Sequence, residues 1–245
     1  MDAPPLPAAA LSAADIVRLW PLSRRRPAAE RVLALLVAVD GRDTLGYPLG
    51  TRNQRLLGLH QMLVRRPIEA HVVCPGCRTD NEFTLPVQAV TALARAEQGA
   101  AVRLDVDGVE SAFRLPVLSD LATADSLHAL AVRTCLEPAV PQLSDGDLDR
   151  LAEAWEVLDP AGSLLVDLCC ASCGHGIAAE ADPADFVARD LDGLVDELMR
   201  DVDVIAGGYG WSEESILALP AARRRRYVEL ISETRSPARR RAARP

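Results

Sequence analysis

Residues 71–85, HVVCPGCRTDNEFTL, place a C-x-x-C turn between two short runs of strand-forming residues. A second stretch at 164–175, LLVDLCCASCGH, again leads an apolar run into a C-x-x-C turn. Short runs rich in Val, Phe and Thr that are bounded by turn residues are typical of β-strands. The sequence therefore predicts strands that meet at the first cysteine turn and a strand that leads into the second.

The two cysteine pairs, Cys74 with Cys77 and Cys170 with Cys173, are predicted to bind one structural zinc ion. Each turn can present two thiolates to a tetrahedral Zn²⁺, and two such turns complete a four-cysteine site. Because the cytosol keeps thiols reduced, six cysteines in a chain expected to be cytosolic favour metal binding over disulfides. Four protein thiolates leave no coordination position for water, so the metal is expected to hold the fold together without catalysing hydrolysis.

The long separation of the two pairs leaves other interpretations open. More than ninety residues lie between Cys77 and Cys170, so the intervening segment has to be an insertion. The pairs could instead be reduced thiols that lie far apart, or one of them could be redox-active, although neither opens a helix in a βαβ unit. Cys169 and His175 flank the second pair and are alternative ligands. Cys135 occupies an apolar position of a predicted helix and is assigned to the core.

The overall pattern predicts an α+β fold with a mainly helical body, in which small antiparallel strands form a zinc-ribbon-like four-cysteine site and a β-hairpin is inserted. The chain has 245 residues, of which 49% are hydrophobic, so it is long enough to bury a sizeable core. The predicted organisation is a flexible arm at 1–11, an N-terminal helical segment at 12–68, a zinc-ribbon-like β region with a hairpin and a helical insertion at 69–182, C-terminal helices at 183–234, and a disordered arginine-rich tail at 235–245.

Capping signals predict where the N-terminal helices begin and end. Ser12 and Asp15 have the spacing of a capping box, which places the start of a first helix. Pro27 suits the first turn of a second helix, and Gly41 is expected to end it. A third helix is expected to begin near Thr51.

The middle of the chain predicts a hairpin followed by two helices. The dipeptide Asp107-Gly108 lies between alternating apolar residues, which is a strong hairpin signal. One helix, opened by Ser119, is expected over 119–137, and a second over 145–159.

The last third of the chain predicts a long amphipathic helix and two shorter ones. One apolar stripe continues at helical spacing for about five turns, through Phe186, Val187, Leu191, Leu194, Leu198, Val202 and Ile205. Gly207, Gly208 and Gly210 are expected to break this helix. Ser212 then caps a short helix, and a final helix is expected after Pro220.

Charge is distributed unevenly along the chain. Residues 221–245 contain nine arginines and two glutamates, a net charge of +7. Because the whole chain has a net charge of −8, the first 220 residues have a net charge of −15. Nucleic-acid binding rests on clustered cations, so the acidic body makes a nucleic-acid partner unexpected. No uninterrupted apolar run of about 18 residues occurs, so no membrane span is expected and the chain is assigned to the cytoplasm.

No catalytic motif is found in the sequence. It has no G-x-S-x-G elbow, no phosphate-binding glycine loop followed by lysine and no H-E-x-x-H helix, and its four histidines are scattered. A non-enzymatic protein without a small-molecule substrate is therefore expected.

The order of motifs along the chain carries a family resemblance. PLGTRN at 48–53 precedes an apolar helix; CPGC and EFTL follow, then a hairpin ending in FRLP at 113–116, C-x-x-C-Gly-His, a long amphipathic helix and YGWSEESILALPAARRRRYVELI at 209–231. This series, over about residues 27–231, resembles the T4-type baseplate hub assembly chaperone family of contractile phages and related injection systems. The resemblance implies a cytoplasmic or particle-associated protein that helps to build a baseplate, with baseplate or tail hub proteins as partners. Whether it acts as a transient chaperone or stays as an accessory component is left open.

The C-terminal block has two interpretations. Its apolar residues are either core or an exposed ridge that binds a partner beside arginines, because Trp, Tyr and Arg dominate interface energetics. The residues assigned to the partner site are Trp211, Ile216, Leu217, Arg223, Arg226 and Tyr227. Besides baseplate assembly, two other functions stay open. The chain could be a zinc-ribbon nucleic-acid-binding or regulatory protein, or it could be a C-x-x-C thiol redox protein.

Overall fold

The computed structural model describes residues 11–20, 25–97, 99–121, 124–136 and 143–235. The predicted arm, apart from Leu11, and the predicted tail beyond Arg235 lie outside the described residues.

The described residues form an α+β fold, as predicted. The helices are α1 (Ala13–Leu19), α2 (Ala28–Asp40), α3 (Leu49–Leu63), α4 (Val87–Thr91), α5 (Leu118–Leu121), α6 (Leu127–Thr134), α7 (Asp145–Leu158), α8 (Pro183–Tyr209), α9 (Glu213–Leu217) and α10 (Ala221–Arg235). A 3-10 turn at Arg42–Gly46 joins α2 to α3. The strands are β1 (Glu69–Val73), β2 (Asp80–Thr84), β3 (Ala101–Val106), β4 (Val109–Arg114), β5 (Leu165–Cys169) and β6 (Gly176–Glu180).

Several predicted helix ends are confirmed. Ser12 accepts a hydrogen bond from the backbone N–H of Asp15, and the Asp15 side chain accepts one in return from the backbone of Ser12. Pro27 precedes α2, and Gly41 follows it with a φ of 90°, a conformation that favours glycine. Ser212 caps α9 through the backbone N–H of Ser215.

Helix α3 begins at Leu49, near Thr51 as predicted, but two other predicted helix boundaries are wrong. The single helix expected over 119–137 is two helices, because Ser126 adopts an extended backbone and caps α6. Helix α8 continues through Gly207 and Gly208, and only Gly210, with a φ of 69°, ends it.

Each C-x-x-C turn joins the two strands of an antiparallel hairpin. Strand β1 pairs with β2 from Glu69 opposite Thr84, and β5 pairs with β6 from Leu165 opposite Glu180. Every residue of the second hairpin lies 96 positions after its counterpart in the first, as Cys170 does after Cys74. The two hairpins therefore have the same length and the same register.

The repeat extends to the neighbouring helices. Helix α3 precedes the first hairpin from Leu49, and α7 precedes the second from Asp145, again 96 positions later. After the hairpins, α4 begins at Val87 and α8 begins at Pro183, with the same offset. A helix–hairpin–helix unit thus occurs twice, and the expected hairpin of β3 and β4 lies between the two copies.

The largest hydrophobic core belongs to the helical body. It joins side chains of α1, α2, α3, α8, α9 and α10, and includes Trp20, Leu36, Leu56, Leu191, Ile205 and Ile216. A separate core packs the β3–β4 hairpin against α6 and α7 around Phe113, Leu151 and Trp155. The two cysteine-bearing hairpins contribute little to either core.

A buried polar network links α3 to the segment between α7 and β5. The Gly50 backbone N–H donates to Asp159 Oδ2 at 2.7 Å, and Asn53 Nδ2 donates to the Ala161 carbonyl at 2.8 Å. Arg52 donates to Asp182 at 2.7 Å, immediately before α8. These bonds bring together the two copies of the repeat, so that their hairpins can face each other.

Candidate functional site

The two cysteine turns meet and form one cluster of four sulfurs. The Sγ atoms of Cys74, Cys77, Cys170 and Cys173 all lie within 4.8 Å of one another. The Cys74 and Cys173 sulfurs are 3.7 Å apart, and those of Cys77 and Cys170 are 3.5 Å apart, so each of these contacts crosses from one hairpin to the other. The predicted set of ligands is therefore brought together despite its separation along the chain.

Both turns adopt the same backbone conformation. Residues Arg78 and Gly174, one position after each motif, have left-handed φ values of 64° and 72°. Their N–H groups donate to the carbonyls of Cys74 and Cys170, both at 2.9 Å. The left-handed residue reverses the chain, so that both sulfurs of a turn point the same way. Glycine adopts this conformation freely, whereas Arg78 adopts it at a conformational cost.

Hydrogen bonds favour the thiolate form of two cysteines. The contact between Cys77 Sγ and the Thr79 hydroxyl, at 3.3 Å, together with a backbone hydrogen bond at Thr79, lowers the pKa of Cys77 to about 6. The backbone N–H groups of Cys173 and Ser172 lower the pKa of Cys170. Amide dipoles directed at sulfur stabilise negative charge there, as a metal ligand requires.

The crowding of the sulfurs acts in the opposite sense on the fourth cysteine. A backbone hydrogen bond at His175 favours its thiolate, but the neighbouring sulfurs of Cys77, Cys74 and Cys170 raise the pKa of Cys173 to about 12. Four thiolates this close repel one another unless a cation lies between them. The donor set therefore fits a metal ion.

The cluster has a buried side and an exposed side. Cys74 and Cys170 are buried and pack with Ile177, whereas Cys77 and Cys173 are exposed. Four sulfur donors within 4.8 Å of one another could hold a metal ion.

The alternative ligands do not join the cluster. Cys169 is exposed on β5, and His175 lies outside the group of four, with its ring beside Gly76. Cys135 ends α6, where it makes an isolated bridge to Phe113, and it packs partly buried against the core of the inserted region.

Asn81 is a residue of the site that was not predicted from the sequence. Its Oδ1 accepts a hydrogen bond at 3.0 Å from the Ala171 backbone N–H of the other hairpin. Its Nδ2 donates to the Thr79 carbonyl at 2.9 Å. Asn81 therefore links the two turns directly. The counterpart of Asn81 in the second hairpin is Ile177, so the bond is made from one side only.

The residues assigned to a partner site are divided by burial. Ile216 and Leu217 are buried in the main core, so they are not part of an exposed ridge. Trp211 is 37% exposed and Tyr227 is partly buried. Burial thus assigns Ile216 and Leu217 to the core and leaves Trp211 and Tyr227 at the surface.

Trp211 and Tyr227 form a three-ring cluster with Tyr209, which was not assigned to the site. Tyr209 and Trp211 are stacked with their centroids 5.2 Å apart, and Tyr227 meets both rings edge-on at 5.6 and 5.0 Å. This aromatic cluster (Tyr209, Trp211 and Tyr227) holds three of the nine Phe, Trp and Tyr residues of the chain. The sequence Tyr-Gly-Trp could have indicated this stacking. Gly210 reverses the chain at the end of α8, and the two flanking rings come together.

The arginines of α10 differ in the ion pairs that they form. Arg224 is buried and donates to Asp201 at 2.9 Å, so it is a packing residue. Arg226 contacts Glu229 at 3.0 Å and Glu233 at 3.5 Å. Arg223 is exposed, and no described residue forms an ion pair with it. It lies four residues before Tyr227, on the same side of the helix.

The chain matches no protein-family model, no curated protein and no solved structure. None of the helices among the described residues is long and apolar enough to cross a membrane.

Proposed function

We propose that this chain is a non-enzymatic assembly chaperone or accessory component of the baseplate hub in a contractile tail or a related injection system, with a structural zinc ion. The observation that carries the proposal is the closed four-sulfur cluster, which joins two hairpins 96 residues apart. Such a metal links distant segments and leaves no position for substrate.

Zinc is favoured by the donor set. Four cysteine sulfurs select soft or borderline metals, and zinc is the common structural metal with tetrahedral sulfur ligands. The nearest sulfur contacts cross between the hairpins, and neither motif opens a helix. Both features support a shared metal over a redox-active pair within one C-x-x-C motif.

The aromatic cluster supports binding to a protein partner. Three partly exposed rings beside an exposed arginine provide the residue types that contribute most to interface energy. A net charge of +7 over residues 221–245 favours an acidic partner surface. The assignment of that partner to a baseplate or tail hub protein rests on the family resemblance of the motif order.

The direct experiment is deletion of the gene from a bacterium that carries it and that also produces a contractile particle. We expect tails without complete baseplates in electron micrographs, and recovery when the wild-type chain is supplied. Arg223→Glu should complement poorly, while Arg25→Glu, at an exposed position that forms no ion pair with a described residue, should complement fully. Arg226→Glu is a less suitable variant, because it would place three acids together on α10.

Particle composition distinguishes the two roles. A component is expected in purified particles by mass spectrometry, whereas a chaperone is expected only in assembly extracts. Complete baseplates in the deletion strain would refute the proposed function.

A further inference from the structure

We infer that the chain has a second docking surface, a groove that fits an acidic amphipathic helix of a partner protein. The groove lies where α1, the end of α3, the middle of α8 and the start of α10 come together, and its volume is about 900 Å³. It is called the four-helix groove below. Neither the cysteines nor the aromatic cluster line it, so the inference does not rest on the proposed baseplate function.

The floor of the four-helix groove is made of apolar side chains that the core leaves partly uncovered. Leu63 and Val64 at the end of α3, Leu194 on α8 and Leu219 before α10 are each half-buried. Met62 is 38% exposed. These side chains come from three separate parts of the chain and converge on one surface. Covering them would remove apolar area from water, which is the main source of affinity in helix-in-groove binding.

The walls of the groove are cationic. Arg65 and Arg66 lie on one side and Arg225 on the other; all three are exposed, and none forms an ion pair with a described residue. Arg224 also lines the groove, but its charge is neutralised by Asp201 at 2.9 Å. The described lining thus holds four arginines and two acids, an excess of two positive charges.

This excess is an exception on an acidic molecule, whose first 220 residues carry a net charge of −15. An apolar floor between arginine walls complements a helix with an apolar stripe flanked by glutamates or aspartates. Single-stranded nucleic acid fits less well, because base stacking needs aromatic rings and none is present among the described lining residues.

The inference can be tested with a designed peptide and the full chain. The probe is a fluorescein-labelled peptide of about 18 residues, long enough to form a helix, with leucines at helical spacing and glutamates at the other positions. One control peptide replaces the glutamates with lysines, and another scrambles the leucines at constant composition. Binding is followed by fluorescence anisotropy at low and high salt.

Two variants test the walls and the floor. Arg65→Glu with Arg66→Glu should weaken binding of the acidic peptide on the order of tenfold, and the loss should shrink at high salt. Met62→Gln should weaken binding at all salt concentrations, because it replaces an apolar side chain of the floor with a polar, uncharged one. The matched control is Arg25→Glu with Arg26→Glu, an adjacent exposed pair outside the groove that makes the same change in net charge. Melting temperature and zinc content verify that each variant is folded.

Preferential binding of the acidic amphipathic peptide, lost in the groove variants and kept in the control, would support the inference. Equal binding of the scrambled peptide, or equal losses in both arginine pairs, would overturn it. Sedimentation would identify a second copy of the chain as the occupant if the wild type self-associates and the groove variants do not, and that result would also overturn it.

Discussion

At the scale of single residues, Asp159 connects α3 to the segment after α7, and burial of its carboxylate opposes folding. One carboxylate oxygen accepts a hydrogen bond from the Gly50 backbone N–H, but the other is buried without a partner among the described residues. Gly50 allows this approach, because a Cβ atom there would lie 2.0 Å from Asp159 Oδ1. Burial raises the pKa of Asp159, and the bond to Gly50 offsets only part of that effect.

The raised pKa of Asp159 predicts a pH-dependent contribution to stability. The folded state holds this proton more tightly than the unfolded state, so the contribution is present below the ordinary carboxyl pKa and is lost as pH rises through the folded pKa. We expect Asp159→Asn to keep the bond to Gly50 and to gain stability relative to wild type as the pH rises above 3.8, the ordinary carboxyl pKa. Urea unfolding of both proteins at each pH measures this difference. A difference that stays constant with pH would show that Asp159 does not titrate in this range.

The four cysteine ligands give the second prediction at this scale. Cys74→Ser and Cys173→Ser should each remove most of about one zinc ion per chain and lower the free energy of unfolding by several kcal/mol, because metal binding and folding are coupled. Cys169→Ser is the matched control, since it removes an exposed thiol next to Cys170 that lies outside the cluster. Cys135→Ser should also retain the metal. Elemental analysis and thermal unfolding provide the measurements, and a well-folded wild type without zinc would contradict the prediction.

At the scale of elements, the crossing of α8 and α10 depends on a glycine inside a helix. A Cβ atom at Gly208 would lie 2.6 and 2.9 Å from Cδ1 and Cγ1 of Ile231, a buried and β-branched side chain with little freedom to move. The close approach explains why a residue that weakens helices stands in the last turn of α8.

This crossing predicts opposite effects for two glycines of α8. Gly193→Ala, where a Cβ atom meets nothing within 4 Å, should stabilise the protein by about 0.5–1 kcal/mol. Gly208→Ala should destabilise it by about 1–3 kcal/mol through overpacking. Adding Ile231→Val should recover part of the loss, because it removes the nearest methyl group. Denaturant unfolding of the four proteins is the measurement, and equal effects of the two glycine substitutions would disprove the contact.

At the scale of the whole molecule, the four-cysteine cluster and the main core are separate parts of the structure. The core draws on the helices of the body, whereas the hairpin tips are linked to each other by the cysteine cluster and by the Asn81 bond. The bases of the two hairpins share a small core of their own, which includes Ile68 and Leu85 of the first copy with Leu164 and Ala181 of the second. A metal ion bound by the four cysteines would join the opposite ends of the hairpins.

Removal of the metal is therefore expected to loosen one region of the molecule before the rest. A thiol-compatible chelator should lower the melting temperature and expose residues 69–85 and 164–181 to proteolysis, while far-UV circular dichroism keeps most of its helical signal. A sample treated with zinc-saturated chelator is the control. Complete loss of the helical signal on chelation would show that the metal and the helical body unfold as one unit.

Much of the local structure was predictable because its causes lie within a few residues. The Ser12 capping box, the Asp107-Gly108 hairpin and the C-x-x-C turns each depend on neighbours in the chain. The four cysteines could be assigned as one group because their chemistry requires a complete tetrahedral set, whatever their separation.

Only the tertiary structure decided which of these residues face one another. The need for glycine at position 208 depends on the approach of Ile231, the burial of Ile216 and Leu217 depends on the body, and the bond from Ala171 to Asn81 depends on the second hairpin. Even the repeat at an offset of 96 was hidden, since the two hairpins share little beyond their cysteines. A local pattern reports the preferences of a segment. Burial and long-range hydrogen bonds depend on the surfaces that pack against it, and these come from distant parts of the chain.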